Sequence, residues 1–167
     1  MVLLETERLV IQHFSLSDAP FIFELLNTPS WLKYIGDRKI KTLEDAEKYL
    51  LNGPIKNQGT VEFGLSLVKT KNENRSIGMC GLIKRDTLKD IDIGFAFMPQ
   101  YEGKGYAYEA ASALITKAKN TLNINRIVAI TVAYNHSSIK LLEKLGMVLE
   151  GNIYMKGDDE ELMLFSI

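Results

Sequence analysis

Hydrophobic and polar positions change period several times along this chain, and each change marks an element. Arg8 to Phe14 reads as a first strand. Ser17-Asp18-Ala19-Pro20 is a helix start, with a capping residue and a proline in the first turn; Phe21, Ile22, Leu25 and Leu26 form its apolar side, and Asn27-Thr28-Pro29 stops it. Ser30 to Asp37 is short and aromatic and ends at a glycine. Thr42, answered by Asp45 in a capping-box pattern, opens a helix through Ala46, Tyr49 and Leu50 that Asn52-Gly53-Pro54 ends. The apolar period then drops to that of a strand. Phe63, Leu65 and Leu67 alternate, Lys69 to Ser76 connects, and Ile77, Met79, Gly81 and Ile83 continue; Asp86 to Asp90 turns again into Ile91 to Met98. This is an antiparallel meander.

A helical pattern follows, with Ala107, Ala110, Ala111, Leu114 and Ala118 on the side that packs closely on a sheet. Arg126 to Val132 is apolar on both faces, as an interior strand requires. Asn135 caps a short helix, Ser137 to Lys144, that Gly146 ends, and two final strands surround Lys156-Gly157-Asp158-Asp159. This order predicts an α/β fold, a mixed sheet with helices on both faces. Its parallel pair is the two strands joined by the central helix.

The stretch IDIGFAFMPQYEGKGYAYEAASALITKAKN, Ile91 to Asn120, carries the first chemical signal. A strand meets Pro99, turns through Glu102-Gly103-Lys104-Gly105-Tyr106-Ala107 and opens a helix. Such a turn presents backbone N–H groups that lack intrahelical partners, at the positive end of the helix dipole, and so suits a phosphate. Composition excludes other classes. At 167 residues, 46% hydrophobic and 25% charged, the chain reads as one domain, residues 1–167, with an ordinary core. A net charge of -1 gives no sign of a nucleic-acid or membrane partner. The acids in MVLLETERLV argue against an export signal, and the lone cysteine, Cys80, fits a reducing compartment, so a cytoplasmic location is expected. Two histidines and one cysteine offer little for a transition-metal site, and none is expected.

GFAFMPQYEGKGYAYEA followed by NHSSIKLLEKLGM resembles the Gcn5-related N-acetyltransferase (GNAT) superfamily, and within it the branch of ribosomal-protein N-terminal acetyltransferases. TERLVIQHF and TLEDAEKYL are similar to that branch as well. The resemblance implies a mostly antiparallel sheet with a central, splayed parallel strand pair. It implies acetyl transfer from acetyl-CoA, the acetyl-donor substrate, to a protein N-terminus or a small-molecule amine. The family's phosphate pattern, Gln/Arg-x-x-Gly-x-Gly/Ala, fits Gln100 to Gly105 literally. It fits Glu102 to Ala107 with Glu in the first place, and the helix start favours this second register. Glu102, Gly103, Lys104, Gly105, Tyr106 and Ala107 are then the phosphate turn, Phe97 and Met98 meet the acetyl end, and Asn135 contacts the pantetheine arm.

Asp92, a charge within an apolar strand, is the candidate general base; the alternatives are that it answers a nearby basic or backbone group, or binds the amine. Ser138 is the candidate proton donor to the thiolate, since Leu142 stands where many relatives carry a tyrosine. Trp31 and Tyr34 are expected to wall the acceptor site, with a place in the core as the other reading of Trp31. The resemblance leaves monomer and homodimer open. It also leaves a second function: a CoA-binding sensor or interaction protein with the same fold and little or no turnover.

Overall fold

The computed structural model describes residues 1–58 and 63–167. One eight-stranded sheet runs through it in the order β1-β2-β3-β4-β5-β6-β8-β7. The strands are β1 (Val2–Glu5), β2 (Leu9–Gln12), β3 (Gly64–Thr70), β4 (Ser76–Ile83), β5 (Ile91–Phe97), β6 (Ile127–Thr131), β7 (Val148–Tyr154) and β8 (Glu161–Ser166). The helices are α1 (Ala19–Leu26), α2 (Pro29–Tyr34), α3 (Leu43–Asn52), α4 (Pro54–Asn57), α5 (Tyr106–Thr121) and α6 (His136–Lys144). Every strand pair is antiparallel except β5 with β6.

Alternation along the strands sorts side chains into two cores. Leu9, Ile11, Val68, Cys80, Ile93 and Phe97 pack with Ala110, Ala111, Leu114 and Ala118 of α5. Their sequence neighbours Leu67, Met79 and Met98 pack with α1, Trp31 of α2, and Ala46 and Leu50 of α3. The predicted helices on both faces are therefore present. α5 lies against β2, β4 and β5, and its alanines permit the close approach.

Three sequence expectations are refined. The first strand is shorter than Arg8 to Phe14, and β1 precedes it as the outer strand of a pair. That outer strand has the burial pattern of an edge, partly covered only at Leu3 and Leu4, so its alternation is faint. The first helix is entered through a single 3-10 turn, Leu16–Asp18, that Ser15 caps, with Asp18 answering the Ser15 N–H at 2.8 Å; Asp18 is in turn the N-cap of α1, and Pro20 lies in its first turn as read. Pro54 does not only end a helix; it starts the one-turn α4. The Thr42–Asp45 capping box and the Asn135 cap form as read.

Candidate active site

The site begins with a break in the sheet. β5 and β6 pair only at Ile91–Ile127 and Asp92–Val128, and then separate. On its other edge β5 stays paired with β4 to its end. Met98 donates its N–H to Ile77 at 2.9 Å, which fixes the alternation of that ladder. Alternate residues of an antiparallel strand point their backbone groups to opposite sides, so those of Ile93, Phe95 and Phe97 face the gap. From Asp92 to Phe97 the gap runs about 17 Å at roughly 3.3 Å per residue.

The glycine turn lies at the open end. Gly103 and Gly105 have φ of +71° and +83°, a left-handed backbone in which a side chain is strained. Gly105 is the N-cap of α5 and offers no side chain to the first-turn N–H groups, so these remain open to an anion. The turn is braced from the first strand pair. Arg8 donates from Nε to Glu109 at 2.7 Å and from Nη1 to the Lys104 carbonyl at 3.0 Å. Glu109 also accepts from Thr6 Oγ1 at 2.6 Å and from the Arg8 N–H at 2.8 Å. Burial pushes the Glu109 carboxyl up, but those donors outweigh it and hold it below the usual range. The Arg8 guanidinium also lies 4.4 Å from the centre of the Tyr106 ring. Glu102 itself makes no ion pair among the described residues, and partial burial raises its carboxyl.

A cavity of about 860 Å³ extends from the gap toward α2 and α3. It brings together Asp92, Asn135, Ser138, Trp31 and Tyr34 from three separate parts of the chain. Asn135 Oδ1 accepts the Ser138 N–H at 3.2 Å, which sets the first turn of α6 against the cavity. The Ser138 hydroxyl has no partner among the described residues. Leu142, at the position where many relatives carry a tyrosine, is buried and lines the same wall. Trp31 is 5% exposed; it belongs to the second core and also lines the cavity. Its indole N–H is buried without a partner among the described residues.

Asp92 is 1% exposed and accepts from Arg85 Nε at 3.0 Å. Burial raises its carboxyl and the Arg85 cation opposes the rise; the net direction is upward. The sequence alternative of a basic partner is thus present in the structure, on a side chain that also lines the cavity. Phe97 and Met98 differ. The Phe97 backbone faces the gap, whereas both backbone groups of Met98 are engaged, its N–H by Ile77 and its carbonyl by the Tyr101 N–H at 2.9 Å. Both side chains are in the cores. Glu102 to Ala107 stand outside the cavity lining, at the far end of the gap.

Sequence reasoning missed the braces and one cavity wall. Arg8 and Glu109 stand 101 positions apart, and Arg85 reaches Asp92 from a loop with no regular pattern. Tyr49 was read only as the apolar face of its helix, yet it lines the cavity too. At the rim, Tyr134 donates to Glu160 at 2.7 Å and packs on Tyr34 with ring centres 5.9 Å apart. The signal available for Arg8 was the run TERLV itself.

Four likenesses bear on the chain. The family described as "Acetyltransferase (GNAT) domain" matches residues 8–148. The uncharacterized N-acetyltransferase YnaD of Bacillus subtilis is 31% identical over 146 residues, covering 87% of this chain and 82% of that protein. The ribosomal-protein-S5-alanine acetyltransferase structure from Vibrio fischeri shares 25% identity at a TM-score of 0.79, over 98% of this chain and 94% of that one. RimL, a ribosomal L7/L12 α-N-protein acetyltransferase solved with coenzyme A, superposes at a TM-score of 0.83 over 100% and 97% of the two chains; at 18% identity this is a likeness of fold.

Proposed function

From the premise that this chain belongs to the GNAT family and is an N-acetyltransferase, we propose that it passes the acetyl group of acetyl-CoA directly to a primary amine in the cavity beside Asp92. The observation that carries this is the β5–β6 gap. It joins a phosphate-suited turn at one end to a cavity holding a carboxylate and a hydroxyl at the other. The first-turn N–H groups of α5 and the glycine turn take the pyrophosphate, with Lys104 offsetting Glu102. The backbone groups of Ile93, Phe95 and Phe97 pair with the pantetheine amides, as a missing strand would, and Asn135 contacts the same arm.

The amine nitrogen attacks the thioester carbon, forming the C–N bond and a tetrahedral oxyanion. Asp92 takes the amine's proton through a water, its second carboxylate oxygen being free of Arg85. The C–S bond then breaks, and the Ser138 hydroxyl gives a proton to the departing thiolate. A carboxyl raised by burial is suited to this task, because a base works best when its pKa approaches the working pH.

The test is the pH profile of kcat/KM for the parent and D92N, read by thiol release. The parent should show an acid limb above the ordinary aspartate range. D92N should lose that limb and about 10²–10⁴-fold in rate. An unchanged rate and limb would remove Asp92 from the chemistry. The Arg85–Asp92 ion pair favours a second reading, a CoA-binding protein that does not turn over. Calorimetric binding of CoA with no thiol release from any amine would decide for it.

A further inference from the structure

The cavity wall formed by α2, α3 and the loop after β4 carries hydrogen-bond donors in excess of acceptors. Its acids are already engaged. Asp45 accepts the backbone N–H groups of Lys41 and Thr42 at 2.9 and 3.0 Å, and Asp92 accepts Arg85. On the opposite rim Glu160 accepts Tyr134, and Asp158 accepts the Glu160 N–H at 3.0 Å. Lys48 is neutralised by Glu44 at 2.7 Å.

On the α2–α3 wall what remains is positive or donating, while the opposite rim keeps the charges of Asp158 and Glu160. Arg38 and Lys39 line the cavity with no ion pair among the described residues. Among the described residues Arg85 is held through Nε alone, which leaves its terminal nitrogens without a partner there. The Tyr49 hydroxyl makes no hydrogen bond among the described residues; it lines the same cavity as Arg38 and Arg85, and burial raises it against the pull of both cations. A guanidinium matches a carboxylate or phosphate in shape as well as charge.

We propose that the acetyl acceptor carries an anionic group, a carboxylate or a phosphate a few bonds from its amine, and that Arg38, Arg85 and the Tyr49 hydroxyl hold that group while the amine lies beside Asp92. The substrate class is then the small amino acids and aminoalkyl phosphates. This rests on the acetyl-transfer reading above. A polypeptide N-terminus has an amide where such a molecule has its anion, and leaves both cations unanswered. A polyamine would bring further ammonium groups against them, which costs energy at close range. Asp92 serves both ends of the substrate: its one oxygen fixes Arg85, and its other faces the amine.

The test uses matched pairs: amino acids against their carboxamides, and phosphoethanolamine against ethanolamine. Thiol release is followed for the parent and R38M. In the parent, kcat/KM for an anionic member should exceed that for its neutral partner by about tenfold or more, equivalent to about 1.4 kcal/mol. In R38M the ratio should fall toward one. Whether the carboxylate or the phosphate pair shows the effect identifies the anion. R85M also strips Asp92 of its partner and can cost the fold, so the exposed Arg38 carries the decision.

A second readout does not need turnover. Trp31 is the only tryptophan. Its fluorescence, with CoA present, reports binding of N-acetyl amino acids and N-acetylphosphoethanolamine against their neutral counterparts. Tighter binding of the anionic forms, lost in R38M, supports the assignment even if no amine is turned over; that outcome would overturn the acetyl-transfer reading alone. Equal or weaker binding of every anionic form would overturn the anion site, whatever the enzyme's activity.

Discussion

Replacing Gly105 by alanine tests whether the phosphate turn is held in shape by the protein or by its ligand. Gly105 has φ +83°, and a left-handed backbone costs a residue with a Cβ about 1–2 kcal/mol. The new Cβ would also lie 3.2 Å from Arg8 Nη2, so the guanidinium must give by a few tenths of an ångström. That movement loosens its hold on the Lys104 carbonyl, now 3.0 Å away. If the turn keeps its shape, the cost appears as lost stability, and Tm should fall by roughly 2–8 °C for a chain of this size. If the turn relaxes, the strain returns when the cofactor binds, and acetyl-CoA affinity should fall about 5–30-fold. Melting curves and calorimetry on one preparation measure both. G103A is the control: φ is +71°, but nothing lies within 4 Å of its Cβ. It carries the same backbone cost without the Arg8 contact, so the difference between the variants isolates that contact. A G105A protein with parental Tm and parental affinity would refute the reasoning, because the strain would have no place to appear.

Three further outcomes follow from the packing and charges. Burial pushes the Cys80 thiol up to about 12, so the native protein should react with a thiol reagent at pH 8 about 10² times more slowly than the unfolded chain; comparable rates would contradict its place in the core. G81A sets a Cβ against the Gly64 carbonyl and 2.8 Å from the Leu65 Cα, both main chain. It should lose about 1–3 kcal/mol in a urea melt, and parental stability would show that β3 moves freely. The Arg126 guanidinium, then the Ser166 hydroxyl, bring the Glu150 carboxyl down from 4.5 to about 2. A depressed carboxyl contributes stability above its unfolded pKa and loses it as pH falls through the folded value. The Tm advantage of the parent over E150Q should therefore be full above pH 4.5 and vanish toward pH 2; a gap that stays constant over this range would mean the ion pair contributes nothing.

Elements with strong period or explicit punctuation were legible in the sequence. The meander, the alanine face of α5, the Thr42–Asp45 box and the Asn135 cap all depend on residues within a few positions of one another, where periodicity and capping speak directly. β1 was missed because an outer strand lacks a buried face to impose alternation. The site was legible only where one element carries it. Asp92 is conspicuous as a charge in an apolar strand, and Gly103 and Gly105 announce a turn. Arg8 with Glu109, and Arg85 with Asp92, are pairings that exist only once the sheet has formed, and no local pattern encodes them.

The Arg85–Asp92 pair also explains why one strand position matters so much. Asp92 stands where β5 and β6 cease to pair, the last point at which the sheet closes both edges of β5. A buried carboxylate is costly there without a counter-charge, and Arg85 supplies it from a loop at the surface. Because Nε is the nitrogen used among the described residues, the pairing that stabilises the carboxylate leaves the terminal nitrogens of Arg85 available on a side chain that lines the cavity. Removing Asp92 therefore does more than remove a candidate base, since it frees Arg85 to turn away. D92N, which keeps an acceptor oxygen, and D92A, which does not, should separate the two effects. Both should lose the acid limb, but only D92A should also lose the preference for an anionic amine. If D92N lost that preference as well, neutral pairing would be insufficient and the charge itself would be what holds Arg85 in place.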